Sequence, residues 1–318
     1  MKKQITILAI LLLIAAVYSC KRDKTTEEPP AQTDHYTSTA NFFAVNAPAM
    51  QTFTVNAATG GSFTTPKGTI VTVPANAFLT QTGGAVSGNV TIQFKDVYKK
   101  SDMLLSKLTT HLIGGGPMES AGMFFIKATQ GANVLVMNYY KSINVFLPSN
   151  GNPINYQMQS YVYLSNAISP GWIAPPIDST ANQDSLSTNP EGYIYHLLQF
   201  NPPTDSGTWA NCDHPIYNGF PMTTINFHFL DSYNDYQPKL FLYFNAINAI
   251  VNLYNYSTDI AYSYSPIGEP CTLVAVGVKD GKLYASFTPI TISSNMTVNY
   301  SVTETTTEAF LAHLATLN

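Results

Sequence analysis

The chain has 318 residues and a formal charge of −4; 45% of its residues are apolar and only 11% charged, against roughly 25% charged in an ordinary soluble domain. That balance excludes a disordered polypeptide, which needs low hydrophobicity and high charge. With Lys+Arg 15 against Asp+Glu 19, there is no basic surplus to neutralise phosphates, so nucleic acid is excluded as an expected partner.

Lys2 and Lys3 precede a nearly continuous apolar run over residues 5–17. At about 1.5 Å per residue a helix of that length reaches only about 20 Å, short of the roughly 30 Å hydrocarbon core. The run therefore predicts a signal-peptide h-region rather than a membrane span. It ends in Val17-Tyr18-Ser19-Cys20, which resembles the bacterial lipobox in the relaxed form of Bacteroidetes lipoproteins. The resemblance implies that Cys20 is the first mature residue, with diacylglycerol on its thiol and an acyl chain on its amine. Several acyl chains, at roughly 0.8 kcal/mol per buried CH₂, hold a protein durably on a bilayer. Lys21 stands where an Asp would favour inner-membrane retention, so the lipobox implies a lipid-anchored outer-membrane protein, facing either the periplasm or the exterior. The competing reading is a secreted protein cut near Ser19.

Residues 21–50 open on Thr25-Thr26-Glu27-Glu28-Pro29-Pro30 and show no periodicity. They read as a flexible tether. From Phe53 the signal changes. Thr52-Phe53-Thr54-Val55 leads to the turn at Gly60-Gly61, and Thr69-Ile70-Val71-Thr72-Val73 alternates up to Pro74, which cannot donate to a ladder. After Gly83-Gly84 come strands predicted at 89–94, 103–109, 123–128, 134–137 and 143–147. Short strands with Gly-rich turns and no helical pattern between them predict a sandwich.

Gly60-Gly61, Gly68-Thr69-Ile70, Val73-Pro74-Ala75-Asn76-Ala77-Phe78 and Gly88-Asn89-Val90-Thr91-Ile92 together resemble the β domain shared by ankyrins and netrin receptors. The likeness covers residues 51–149 and is closer still to Bacteroidetes lipoproteins that carry a version of that domain, through Met103, Thr109, Glu119-Ser120-Ala121-Gly122-Met123 and Pro148. It implies interaction rather than chemistry. Some relatives of the ankyrin-type domain cleave themselves at His-Phe-Ser; the nearest string here, His228-Phe229-Leu230, lacks the nucleophile.

Residues 175–190 are polar and read as a long loop. The remaining block, 150–318, predicts strands at 156–164, 193–200, 223–229, 239–244 and 273–278. Lys279-Asp280-Gly281-Lys282 is a hairpin signal, Asp-Gly supplying a type I′ turn. Residues 245–256 read as turn then strand. The C-terminus predicts a helix capped by Thr305 and Glu308, its apolar face made of Phe310, Leu311, Leu314 and Leu317.

Cys212 and Cys271 are the cysteines left beside Cys20. In an oxidising compartment this pair can form a disulfide, or the two can be buried separately. Cys212-Asp213-His214 has no second cluster to complete a zinc site. Asp231-Ser232-Tyr233-Asn234-Asp235 offers oxygens without a calcium-loop pattern. Gly84-Ala85-Val86-Ser87-Gly88 leads into a strand, unlike a serine-hydrolase elbow. Asp178-Ser179-Thr180 and Asp184-Ser185-Leu186 resemble the O-glycosylation acceptor pattern of Bacteroidetes, which implies sugars on Ser179 or Ser185.

These residues predict an all-β chain of two β-sandwich-like domains, 51–149 and 150–318, with a short C-terminal helix. The expectation is an envelope lipoprotein held to the membrane through Cys20, without metal, cofactor or catalytic residues, acting as a non-enzymatic binding or structural module for a protein or glycan ligand. Its rival is a surface hydrolase or carbohydrate-handling accessory protein.

Overall fold

Residues 35–138, 140–165, 170–175, 183–200, 207–254 and 257–318 are described by a computed structural model. A helix, α1 (Thr39–Asn46), opens this part of the chain. Then come β1 (Gln51–Asn56), β2 (Gly61–Thr64), β3 (Ile70–Val73), β4 (Phe78–Thr80) and β5 (Asn89–Val97). A second helix, α2 (Lys100–Leu105), precedes β6 (Glu119–Gln130), β7 (Asn133–Met137), β8 (Ile143–Pro148), β9 (Gln159–Leu164), β10 (Gly171–Ile173), β11 (Ser185–Asn189), β12 (Gly192–Leu197) and β13 (Thr208–His214). The last part holds β14 (Met222–Phe229), α3 (Tyr233–Tyr236), β15 (Lys239–Phe244), β16 (Ala249–Leu253), β17 (Asp259–Pro266), β18 (Pro270–Lys279), β19 (Lys282–Thr291), β20 (Thr297–Tyr300), β21 (Thr303–Thr305) and α4 (Thr307–Thr316). The chain is an all-β fold with a short C-terminal helix.

The strands form four principal sheets. Sheet I follows the order β1-β5-β6-β13-β9-β10, and sheet II the order β11-β12-β8-β3-β2. Sheet III is β17-β14-β20, and sheet IV is β16-β15-β18-β19-β21. Three cores lie between successive sheets. Phe94, Phe124 and Ile126 of sheet I meet Val71, Val145 and Tyr195 of sheet II in the first. The middle core joins Val97, Met123, Tyr161 and Trp172 to Phe241, Tyr243, Val274 and Val276 of sheet IV, and takes in α1, α2 and α4. The third packs Leu240, Leu242, Phe244, Leu273 and Ala275 against Ile225, Phe227, Phe229 and Val298 of sheet III.

Sheet IV is thus apolar on both faces, because alternate side chains of β15 and β18 enter different cores. This is the physical reason that Lys239-Leu240-Phe241-Leu242-Tyr243-Phe244 carries no polar alternation. Sheet III is covered on one face only, and its strands alternate.

Four expectations from the sequence need correction. The boundary at 150 does not separate sheets: β8 pairs with β12, and β6 pairs with β13, so strands from 150–214 complete the first sandwich. The two halves are also stitched together, since the Thr110 amide donates to Ile250 O at 2.7 Å and the buried Lys100 ammonium to Phe244 O at 2.8 Å. Residues 35–50 are not a tether, for Phe42 and Phe43 are buried in the middle core and Thr39 Oγ1 accepts the Val278 amide at 3.0 Å. The strand expected at 103–109 is α2, which turns Met103, Leu104 and Leu105 into that same core. The loop expected over 175–190 contains the edge strand β11.

The 280–281 hairpin is as expected, with Asp280 at φ +50° and Gly281 at φ +81°, the signs a type I′ turn needs. Residues 245–248 form a turn before β16. In α4 the cap shifts by one residue: Thr306 Oγ1, not Thr305, accepts the Ala309 amide at 3.1 Å. Phe310 and Leu314 are the residues this helix buries.

Candidate functional site

Sheet III leaves its outer face to solvent, and the alternation of β14 dictates what that face carries. Ile225, Phe227 and Phe229 point into the third core, so Asn226 and His228 point out. Antiparallel β17 places Asp259 opposite His228 and Ala261 opposite Asn226. Parallel β20 places Asn299 and Thr297 opposite the same two residues from the other side. Two rows result, Asp259-His228-Asn299 and Ala261-Asn226-Thr297. Neighbouring strands lie about 4.8 Å apart, and rows two residues apart along a strand about 7 Å. These side chains, with Ile260, line an open groove of about 410 Å³.

Within the groove, His228 donates through Nδ1 to Oδ1 of Asp259 at 2.6 Å. In the neutral ring that bond leaves Nε2 as an acceptor. Among the described residues no side chain engages the amides of Asn226 and Asn299 or the hydroxyl of Thr297.

The buried carboxylates belong to other places and are consumed by the fold. Asp96 accepts Thr65 Oγ1 and Thr69 Oγ1, each at 2.5 Å, tying the 65–69 turn to β5. Asp184 accepts the Leu198 amide at 2.7 Å and the Tyr195 hydroxyl at 3.3 Å; burial pushes its pKa up to about 6. Asp213 is wholly buried at a bulge between β13 and β6, where its Oδ2 accepts Asn211 Nδ2 at 2.5 Å and its Oδ1 has no partner. Burial drives the Asp213 carboxyl far above the usual range, and the negative charge of Glu119 acts in the same direction. Gly122 holds the facing bulge at φ +142°, and a Cβ there would stand 2.6 Å from the Tyr98 ring.

The residues singled out from the sequence are not brought together. Cys20 and Ser179 lie outside the described residues. Ser185 is exposed at the start of β11. Cys212 and Cys271 are not bridged: both are free thiols, Cys212 in the first core and Cys271 in the third. Their strands belong to different sheets separated by the middle core, so of the two alternatives the structure shows separately buried thiols and not the disulfide. Asp231 accepts the Val302 amide at 3.3 Å and Asp235 pairs with Lys279 at 3.0 Å. Among the described residues no group of three or more His, Cys, Asp or Glu side chains is placed to hold a metal ion. Tyr161 of β9 and Tyr262 of β17 are buried, whereas Tyr264 of β17 and Tyr156, ahead of β9, are exposed. Among those same residues no helix is long and apolar enough to cross a membrane.

Sequence reasoning passed over Asn226, Asp259, Thr297 and Asn299. Polar residues alternating on short strands were the available signal; the parallel pairing that gathers them has no local signature. No protein-family model matches the chain, and none of the curated proteins matches it.

Proposed function

We propose that the chain is an envelope lipoprotein, anchored in the outer membrane of a Bacteroidetes-type cell through lipid on Cys20, whose β body is a non-enzymatic binding module. The observation that carries the binding part is the outer face of sheet III. It is the uncovered face of a sheet that is packed on its other side, and it gathers five polar side chains from three strands into one groove. The Lys2-Lys3 leader and the Cys20 lipobox support the anchor, and the likeness of residues 51–149 to the ankyrin and netrin-receptor domain supports interaction.

A glycoside hydrolase would bring two carboxyl groups to one opening. Asp259 is the lone carboxylate of the groove, while Asp213 is sealed inside the body. The same envelope reading assigns O-linked sugars to Ser179 or Ser185.

The test is a photo-cross-linking residue placed at Asn226 of the full chain in native membranes, with the same residue at Thr188 as control. Capture at 226 and not at 188 is expected; equal or absent capture at both positions overturns the binding role. Cys20→Ser should release the protein from membranes or block its maturation. Membrane attachment that survives this change overturns the anchor.

A further inference from the structure

We infer that the groove on sheet III binds a neutral, hydroxyl-rich ligand, a carbohydrate, through Asn226, Asn299, Thr297 and the Asp259-oriented His228. The inference rests on the binding role proposed above and names its ligand class.

An anionic ligand, whether phosphate, sulfate or carboxylate, needs a fixed cation, and no Lys or Arg lines the groove. A cationic ligand needs carboxylates gathered around it, and the groove holds one, Asp259, whose Oδ1 is already bonded to His228 at 2.6 Å. An apolar ligand needs apolar walls, and only Ile260 and Ala261 provide any. What remains is a set of groups that both donate and accept. Each carboxamide presents two N–H donors and a carbonyl acceptor, and the Thr297 hydroxyl presents one donor with its lone pairs. Sugar hydroxyls have the same dual character, and adjacent hydroxyls on one ring suit adjacent side chains of one row.

The His228–Asp259 pair adds direction to this surface. A carboxylate on Nδ1 fixes the ring orientation and leaves Nε2 free to accept from a hydroxyl. Asn226 and Asn299 sit diagonally across the two rows with His228 and Thr297, so a ring lying over the centre reaches all four. Ala261 keeps one corner low, where a larger side chain would stand in the ligand's place.

The experiment is affinity electrophoresis of the full-length lipidated protein in detergent. The immobilised probes are glycogen, laminarin, yeast mannan and xylan, with heparin and polyphosphate as charged comparators. Retention by at least one neutral polysaccharide is expected, weakened about tenfold or more in Asn226→Ala/Asn299→Ala, which removes two groups each able to form net-favourable hydrogen bonds. Ala261→Arg removes no hydrogen bond but fills the groove, and it should abolish the same retention with an unchanged melting temperature. The inference is overturned if no neutral polysaccharide retards the protein, if both variants are retarded like the wild type, or if heparin or polyphosphate is preferred. Loss of all polysaccharide retention alongside position-specific cross-linking at 226 would overturn the carbohydrate assignment and leave the binding role standing.

Discussion

Asp184 holds the Leu198 amide on its Oδ1 at 2.7 Å, so a single buried carboxyl fixes both the entry to β11 and the exit from β12. The Tyr195 hydroxyl donates to its other oxygen, and Ser160 Oγ donates to the Asp184 carbonyl at 3.0 Å. Burial outweighs these hydrogen bonds and moves the carboxyl up to about 6.

The folded state therefore holds the Asp184 proton more tightly than the unfolded chain, whose carboxylates titrate near about 3.9. Its stabilising contribution is fully present below about pH 4 and is lost as pH rises through about 6. The span amounts to about 2–3 kcal/mol at most. Asp213, raised still further, adds a slope of the same sign. Asp184→Asn keeps an acceptor for Leu198 without the titration. Melting temperatures from pH 4 to 8 should fall less steeply with pH in this variant than in the wild type, with the gap between the two curves opening between about pH 4 and 6 and staying constant above. Parallel curves would mean that Asp184 is ionised throughout.

Burial disfavours the charged form of the Asp213 carboxyl and the negative charge of Glu119 acts in the same direction, so the neutral acid is the form expected in the folded protein. Asp213→Asn should consequently change the melting temperature little at pH 7. Asp213→Ala, which leaves the Asn211 amide without its acceptor, should cost about 1–3 kcal/mol. Infrared spectra at pH 7 should show one protonated carboxylic acid that disappears in Asp213→Asn.

The middle core is shared by the two sandwiches, so they are expected to unfold as one cooperative unit. Phe241 is wholly buried there and packs its ring 5.8 Å from that of Phe43 in α1. Phe241→Ala should cost about 3–5 kcal/mol, as large-to-small changes at buried aromatics do. Because both halves share this core, calorimetry should still show one transition, shifted down as a whole. Two separated transitions in the wild type would mean that the halves fold independently.

Which parts of this architecture could be read from the chain depends on where the partners of each residue lie. Strands such as β3 and β5 were legible because alternation, Gly turns and Pro74 are local. Helix α2 was not, since its N-cap, Lys99, makes no side-chain capping bond and its buried Met103-Leu104-Leu105 run suits a strand equally well. Helix α1 was hidden for another reason: Thr39 is bonded to residues 197 and 239 positions away, and nothing local distinguishes Phe42 and Phe43 from isolated apolar residues in a tether. The groove was illegible on the same grounds, because Asn226 meets Thr297 only through a parallel pairing of β14 with β20.

The cysteines supply a direct chemical check on the layering. Burial raises both thiols, Cys212 strongly, so neither is a ready nucleophile in the folded protein. In Cys20→Ser protein, a thiol reagent should label neither residue under native conditions and both after denaturation without reductant. A mass lower by two hydrogens, with no labelling after denaturation, would show that the two are bridged.

Ser185 is exposed where β11 begins, while the side chain of Asp184 beside it is turned inward onto Leu198 and Tyr195. In the folded body an enzyme that reads the Asp-Ser pair would meet the serine but not the carboxyl. Glycosylation at Ser185 is therefore expected to precede closure of this edge during folding. Protein from the native host should carry sugar on the peptide spanning residues 176–190, at Ser179 or Ser185, and Ser179→Ala/Ser185→Ala should remove it. Incubating the folded, unmodified protein with an envelope extract from that host should add nothing at Ser185, whereas a synthetic peptide of the same residues should be modified. Modification of the folded protein at Ser185 would show that the buried Asp184 carboxyl is not needed for recognition. An unmodified mass for the whole segment, in protein delivered to the outer membrane, would remove the assignment altogether.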